Sequence, residues 1–350
     1  MTRRGILLAA FIAISIPFSS SWSQTVDPDS NYWGEVDRFL NRQHEVTLNL
    51  VADAISRFPP QIPEPFIRRM AMLMLDGVLH EESAPALLTV QDFFHSAMGF
   101  AIDEIESTSV SRGAIIWKLY DHGFVVRTPT VTIGFDLIRG YSAGADSFAV
   151  PDRLMERIIG QCDLLFISHW HGDHADQMVI NSFIGADKPV VAPAEARADS
   201  AFQGQITHLA ADAGAIQLLP IQEGSRSLEV VVFPGHQGAE MSNNVTLVRS
   251  PEGLVFCHTG DQSNEDDFSW IDEVGDQYEV DVLMPNCWTT DIGRVARGFD
   301  PELIITGHEN ELGHSIDHRE PFWLTYDRLS RTPYPFLVMT WGESYHYLPR

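Results

Sequence analysis

The sequence predicts an α/β fold of two mixed β-sheets packed back to back with helices outside (an αββα sandwich), preceded by a helical extension. Three observations predict it. Helical periodicity runs to about Thr108, then gives way to short apolar runs separated by turn residues. Those runs fall into two groups, Ala114 to Val191 and Ala215 to Thr340, with helical stretches interspersed. Several of them stop abruptly at a histidine or an aspartate, which places reactive side chains at strand ends, where α/β proteins build their sites.

At 350 residues the chain is long enough for one large domain or two small ones. Residues 1–24 read as a secretory signal peptide: Arg3 and Arg4 form a basic start, Gly5 to Pro17 an apolar stretch, and Ser21-Trp22-Ser23 a cleavage site. That stretch is too short to span a bilayer comfortably, and no cysteine follows it to accept a lipid. The expectation is an exported protein, periplasmic or secreted, without stable membrane insertion. Residues 25–110 are expected to form the helical extension and residues 111–350 the main α/β domain.

Within the extension, Trp33, Val36, Phe39, Leu40, Leu48, Val51, Ala54 and Ile55 recur at helical spacing until Pro59 and Pro60 stop them. A second helix is expected over Phe66 to Leu79, with Met70, Met72 and Met74, and a third over Val90 to Ile105. Their methionines and aromatics read as helix-packing core rather than a lipid surface. The period then changes. Ala114 to Tyr120, Phe124 to Arg127 and Val131 to Asp136 read as a strand meander, with Asp121-His122-Gly123 as a turn. A helix over Leu154 to Ile159 leads into a buried strand, Asp163 to Ile167. Helices over Ala175 to Phe183 and Ala194 to Ala201 flank the strand Val190-Val191. The second group comprises Ala215 to Leu219, Ser227 to Phe233, Asn244 to Arg249, Leu254 to Cys257, Val280 to Met284, Leu303 to Ile305 and Pro335 to Thr340. A helix over Pro321 to Leu329 lies near its end.

The strand at Asp163 to Ile167 runs into His169-Trp170-His171-Gly172-Asp173-His174. Imidazole nitrogens and carboxylates suit zinc and similar divalent ions. One ion cannot easily take four side chains from so short a loop, whereas two can: His169 and His171 on one, Asp173 and His174 on the other.

These six residues resemble the HxHxDH signature of the metallo-β-lactamase superfamily, and the resemblance extends from about Gly113 to the C-terminus. It implies further ligands downstream: His236 after the strand Val230 to Phe233, a bridging Asp261 in Gly260-Asp261, and His308 after Leu303-Ile304-Ile305. The implied set gives one ion His169, His171 and His236 and the other Asp173, His174 and His308, with Asp261 between them. His308 is preferred over His314 and His318 because a strand end holds a ligand more rigidly than mid-loop, with Gly307 allowing the turn. A nearby carboxylate, Glu309 or Glu311, is expected to orient it. His314 then becomes a candidate for protonating a leaving group, or a histidine hydrogen-bonded in its loop. His208 reads as a rival to His236 with a weaker context, and His122 stays outside the ligand set. Trp170 and Trp288 are candidates for lining the cleft or for plain packing.

The expected activity is metal-dependent hydrolysis through a hydroxide bridging two divalent ions, zinc by default, with manganese or iron also fitting. Asp173 and Asp261 take part as ligands. The early meander resembles the lactonase and phospholipase D branch, which implies a small ester, lactone or phosphodiester substrate. With 48 acidic against 23 basic residues and a net charge of −25, the surface repels phosphate backbones, so nucleic acid is excluded as a partner. Three cysteines, Cys162, Cys257 and Cys287, are too few for a disulfide framework, and Cys162 and Cys257, in or beside apolar strands, read as buried thiols. Two other readings remain: a mononuclear iron dioxygenase on the same fold, and a metal-binding protein without catalysis. The oligomeric state is not legible.

Overall fold

The computed structural model describes residues 32–140, 147–221 and 226–349. The signal-peptide reading therefore lies outside the described residues. The chain divides into two compact units, residues 1–41 and residues 42–350. In the first, Glu35 pairs with Arg38 at 3.1 Å and Tyr32 meets the Phe39 ring edge-on.

Three long helices come first: α1 (Val36–Arg57), α2 (Phe66–Leu79) and α3 (Leu88–Ser107). The meander follows as β1 (Ala114–Lys118), β2 (Phe124–Arg127) and β3 (Thr132–Phe135), then α4 (Asp152–Gln161), β4 (Leu164–Phe166), α5 (Gln177–Gly185) and β5 (Val190–Val191). The second half supplies β6 (Gln217–Ile221), β7 (Arg226–Gln237), β8 (Met241–Arg249), β9 (Val255–His258), α6 (Phe268–Ile271), α7 (Val274–Gln277), β10 (Val282–Met284) and α8 (Ile292–Phe299). Then come β11 (Leu303–Ile305), α9 (Phe322–Leu329), β12 (Phe336–Leu337) and β13 (Glu343–Tyr347).

Two sheets result, ordered β13-β1-β2-β3-β4-β5 and β12-β11-β10-β9-β8-β7-β6. Alternation along each strand divides the core into layers. Val230 and Val232 join Ile116, Val126, Phe135, Phe166, Phe256, Val282 and Ile305 between the sheets. Their neighbours Val231 and Phe233 face the other way, onto Phe268, Ile271, Val295 and Phe299 of α6 and α8. On the far face of the first sheet, Ile115, Trp117, Val125 and Leu165 pack with residues of α2 to α5, including Met72, Leu75, Phe94, Met98, Ile158 and Phe183. Met72, Phe94 and Met98 are core as expected, whereas Met70, Met74 and Phe100 are exposed. No helix among the described residues is long and apolar enough to cross a membrane. All three cysteines are free and buried.

Several elements differ from the sequence reading. Ala194 to Ala201 is not helical. There the Gln203 side chain accepts from Ala198 N at 2.8 Å and donates to Ala196 O at 3.0 Å, taking backbone groups that a helix would have used. The expected strand over Pro335 to Thr340 is confined to β12. Strand β13 and helices α6, α7 and α8 were not expected: β13 pairs antiparallel with β1, from Ala114 opposite Tyr347 to Lys118 opposite Glu343.

Candidate metal centre

β3 and β4 run parallel in one sheet, and β9, β10 and β11 run parallel in the other, so each set ends along one edge. The loops leaving β4, β9 and β11 carry His169 to His174, Asp261 and His308. Their approach is close enough that two positions require glycine. Gly260 has φ +50°, and a Cβ there would lie 2.3 Å from both Ser168 Cβ and Asn243 Oδ1. A Cβ on Gly307 would lie 2.1 Å from His122 Cδ2. The turn itself is made by His308, at φ +72°, so Gly307 serves to admit the His122 ring rather than to bend the chain.

Asp261 occupies the middle. Its Oδ1 lies 3.2 Å from His174 Nε2 and 3.5 Å from His308 Nε2, while its Oδ2 lies 3.7 Å from His169 Nε2. Asp173 Oδ2 is 3.7 Å from both His174 Nε2 and His308 Nε2. Separations of about 3.3 Å are what two donors on one tetrahedral ion would show, each at about 2.0 Å from it. Neighbouring polar groups hold the far nitrogens from behind. Asp136 lies 2.7 Å from His174 Nδ1 and accepts from Ser168 N at 2.8 Å and Ser168 Oγ at 2.6 Å. Ser168 Oγ is 3.0 Å from His169 Nδ1. Asp121 Oδ1 stands 3.4 Å from His308 Nδ1.

Several donor atoms in this space are buried without a hydrogen-bond partner: Nε2 of His169, His174 and His308, and Oδ1 of Asp261. Buried polar atoms ordinarily find partners. Imidazole nitrogens and a carboxylate oxygen turned toward one another, with their other atoms held from behind, fit a divalent metal. The charges agree with this. Burial, with the His174 charge, draws His169 down to about 3, which keeps it neutral. Burial works against charge on Asp261, yet the cationic His174 and His308 hold it well below the carboxylate range. Burial also opposes charge on His308, and Asp121 and Asp261 outweigh it, raising His308 well above its usual value.

The expected ligands are not gathered equally. Asp173, His174 and His308 form a closed donor group, which includes Asp121 as well, and Asp261 groups with His174 and His122. His169 reaches the centre through Asp261. His171 is partly buried with its ring 4.8 Å from that of His169. His236 sits at the rim, its side chain 39% exposed, with Asp267 lying 2.7 Å from its Nδ1. Its neighbour Gln237 donates to Asp261 Oδ2 at 2.9 Å. No closed group among the described residues contains His169, His171 or His236.

His314 lies beyond His308, with its ring stacked on that of His308 at 5.8 Å. Its Nδ1 is 2.6 Å from Glu311 Oε2 and its Nε2 is 4.0 Å from Asp173 Oδ2. Glu311 is thus the partner of His314 and stands 4.0 Å from His308, while Glu309 turns away to pair with the buried Lys118. Asp121 is the nearer carboxylate to His308, in place of the two expected. His208 is held by Ala192 O at 2.8 Å and His318 is exposed on the surface. His122 is fully buried with its ring 4.2 Å from that of His258, beneath the donor cluster rather than in a plain surface turn. Asp121, Asp136 and Asp267 were missed. A signal existed for Asp136, which ends a predicted strand as the ligand-bearing segments do.

Lys118 and Glu309 are both fully buried, with Thr325 Oγ1 donating to the same carboxylate at 3.3 Å. Lys118→Met would leave Glu309 buried and uncompensated beside His308, at a cost of about 3–5 kcal/mol. The expected result is a clear drop in melting temperature, restored in the double variant Lys118→Met with Glu309→Gln. An unchanged melting temperature in the single variant would show that the pair carries no such burden.

No protein-family model matches the sequence, and no curated protein matches it. Solved structures match by shape. A metallo hydrolase from the archaeon Ignicoccus hospitalis aligns over 68% of this chain and 99% of its own, at 15% identity and a TM-score of 0.50. A possible metal-dependent hydrolase from Veillonella parvula covers 68% of this chain and 100% of its own, at 13% identity and a TM-score of 0.50. The chain shares the fold of these hydrolases, two mixed β-sheets back to back with helices outside. An isothiocyanate hydrolase from Delia radicum gut bacteria matches to the same degree, over 67% of this chain and 98% of its own, with a TM-score of 0.50 at 12% identity. Identities this low establish the fold alone. What this fold carries here is a buried cluster of histidine and aspartate at the edge where the strands of both sheets end.

Proposed function

We propose that this chain is a metal-dependent hydrolase that binds two divalent ions, zinc by default, and cleaves a small ester, lactone or phosphodiester. The observation that carries the reading is the set of orphaned donor atoms around Asp261. Bound ions would supply Lewis acidity, lowering the pKa of water and polarising the oxygen under attack. His169, His171 and His236 would hold one ion, Asp173, His174 and His308 the other, and Asp261 both.

The chain's own residues supply orientation and protons. Asp136 fixes His174 and Asp267 fixes His236, each through Nδ1, which leaves Nε2 as the nitrogen available to a metal. His314 is the proposed donor to the leaving group. Its contact with Glu311 raises its pKa, with burial opposing, and leaves Nε2 as the atom that gives the proton. Trp170 lies 5.0 Å from the His171 ring and Trp288 lies 5.7 Å from that of His308, so apolar surface flanks the site on two sides. The net charge of −25 supports a small substrate over nucleic acid.

Metal analysis of the natively purified protein, joined to a panel of lactones, phosphodiesters and β-lactams, tests the reading. Two ions per chain and hydrolysis that a chelator abolishes are expected. A metal-loaded protein inert across the panel would overturn the hydrolase. One observation favours a mononuclear centre instead: His169, His171 and His236 all stand outside every closed donor group among the described residues. A stoichiometry of one ion per chain would select it. We also propose export, from Arg3-Arg4 and the apolar run to Pro17. Mass spectrometry of protein from its native host should place the mature N-terminus near Gln24, and an intact Met1 would refute it.

A further inference from the structure

We infer that Asp76 of helix α2 is a positioning residue for the metal centre, holding the loop that carries His308 and His314 from outside the sandwich. The inference rests on the reading that His308 binds a metal ion. The loop needs holding. His308 at φ +72° and Asn310 at φ +57° both take left-handed conformations that cost non-glycine residues free energy, and they persist only where the surroundings enforce them.

The enforcement comes from three directions. His308 N donates to Asp121 O at 3.2 Å and Asn310 N donates to Glu320 O at 3.0 Å. Glu309 is tied to Lys118 of β1. The third tether is α2. The Asp76 carboxylate, 6% exposed, accepts from Asn310 Nδ2 at 2.9 Å, from Phe322 N at 2.9 Å and from Trp323 N at 3.0 Å. One side chain thereby joins the residue two places after His308 to the first turn of α9, closing both ends of the loop. The C-terminal end of α2 adds a parallel link. The Arg319 guanidinium donates to Leu79 O and Glu81 O, each at 3.0 Å, and to His314 O at 2.8 Å.

A carboxylate can accept all three bonds. An amide at the same place accepts only through its oxygen and turns its N–H groups toward other donors. Asp76→Asn should therefore loosen the loop without emptying the space. Asn310→Gly removes the same bond from the loop side and suits φ +57°, because glycine enters that region freely.

The test is Zn²⁺ affinity by chelator competition, with the Co²⁺ absorption spectrum as a reporter of ligand geometry. Both are measured below the melting temperature of each variant. Asp76→Asn and Asn310→Gly should each weaken Zn²⁺ by roughly tenfold, at the low end of outer-shell effects on metal sites. Both should alter the Co²⁺ spectrum, and the double variant should lose less than the two losses combined. Leu75→Ala, in the α2 core, is the control: it should lower the melting temperature and leave affinity and spectrum alone. Unchanged affinity and spectrum in both loop variants would overturn the inference. So would an equal loss in Leu75→Ala, since α2 would then contribute only stability. Failure of the unmutated protein to bind either ion would instead overturn the metal reading itself.

Discussion

Asp261→Asn should reduce bound metal from about two ions per chain to less than one and abolish measurable hydrolysis. The expectation follows from the two oxygens facing different partners: Oδ1 toward His174 and His308, Oδ2 toward His169. Replacing one oxygen by an amide nitrogen removes a donor and an anionic charge, and with it the offset to the repulsion between two cations. The same substitution changes proton uptake. His174 and His308 are raised well above the usual histidine value, against the effect of burial, by the carboxylates around them, Asp261 included. A ligand nitrogen must shed its proton before it binds. Metal binding by the unmutated protein should therefore release protons, and its affinity should fall as pH falls. In Asp261→Asn fewer protons should be released per ion, as calorimetry in buffers of different ionisation enthalpy would measure. Inductively coupled plasma analysis gives the stoichiometry. Two tightly held ions in Asp261→Asn would refute the central placement of this residue.

The pattern of what was legible beforehand follows from range. β2 and β11 were readable to the residue because three apolar residues in a row, bounded by turn residues, declare themselves locally. α2 was readable because its period is unbroken from Phe66 to Leu79. α8 was not, since eight residues containing Gly293 and Gly298 look like loop. Gly298 is there because a Cβ would lie 2.4 Å from Ile271 O, a packing demand invisible within α8 itself. β13 depends on β1, more than two hundred residues earlier in the chain, for its strand identity. The candidate ligands were visible as histidines and aspartates at strand ends. Their partners were not: Asp136 matters because β3 and β4 are neighbours, and Asp267 because its loop closes over the end of β7. Asp121 sat inside an obvious turn, which concealed its approach to His308.

His308→Ala and His314→Ala should separate metal binding from proton delivery. His308 is 2% exposed, and its Nε2 faces Asp173 and Asp261 with no hydrogen-bond partner. Its loss should release one ion, because the remaining donors of that half, Asp173 and His174, would hold an ion far less firmly. Hydrolysis should fall by several orders of magnitude. His314 is a different case. Its Nδ1 is engaged by Glu311 and its side chain is 35% exposed, so it lies where a substrate could meet it. His314→Ala should keep the full metal content and lower turnover by about 10²–10⁴-fold for substrates with a poor leaving group, the usual worth of a general acid. A substrate whose leaving group departs without protonation should be nearly indifferent to the change, and that contrast distinguishes proton donation from general damage to the site. The alkaline limb of the rate profile should also vanish in His314→Ala. With a raised pKa, His314 stays protonated above the ordinary histidine range, and activity that depends on its proton falls once pH passes that value. Glu311→Gln should shift the same limb toward lower pH by removing the charge that raises it. If His314→Ala loses an ion while His308→Ala keeps both, the roles of the two histidines are reversed. The ligand would then lie in the loop rather than at the strand end.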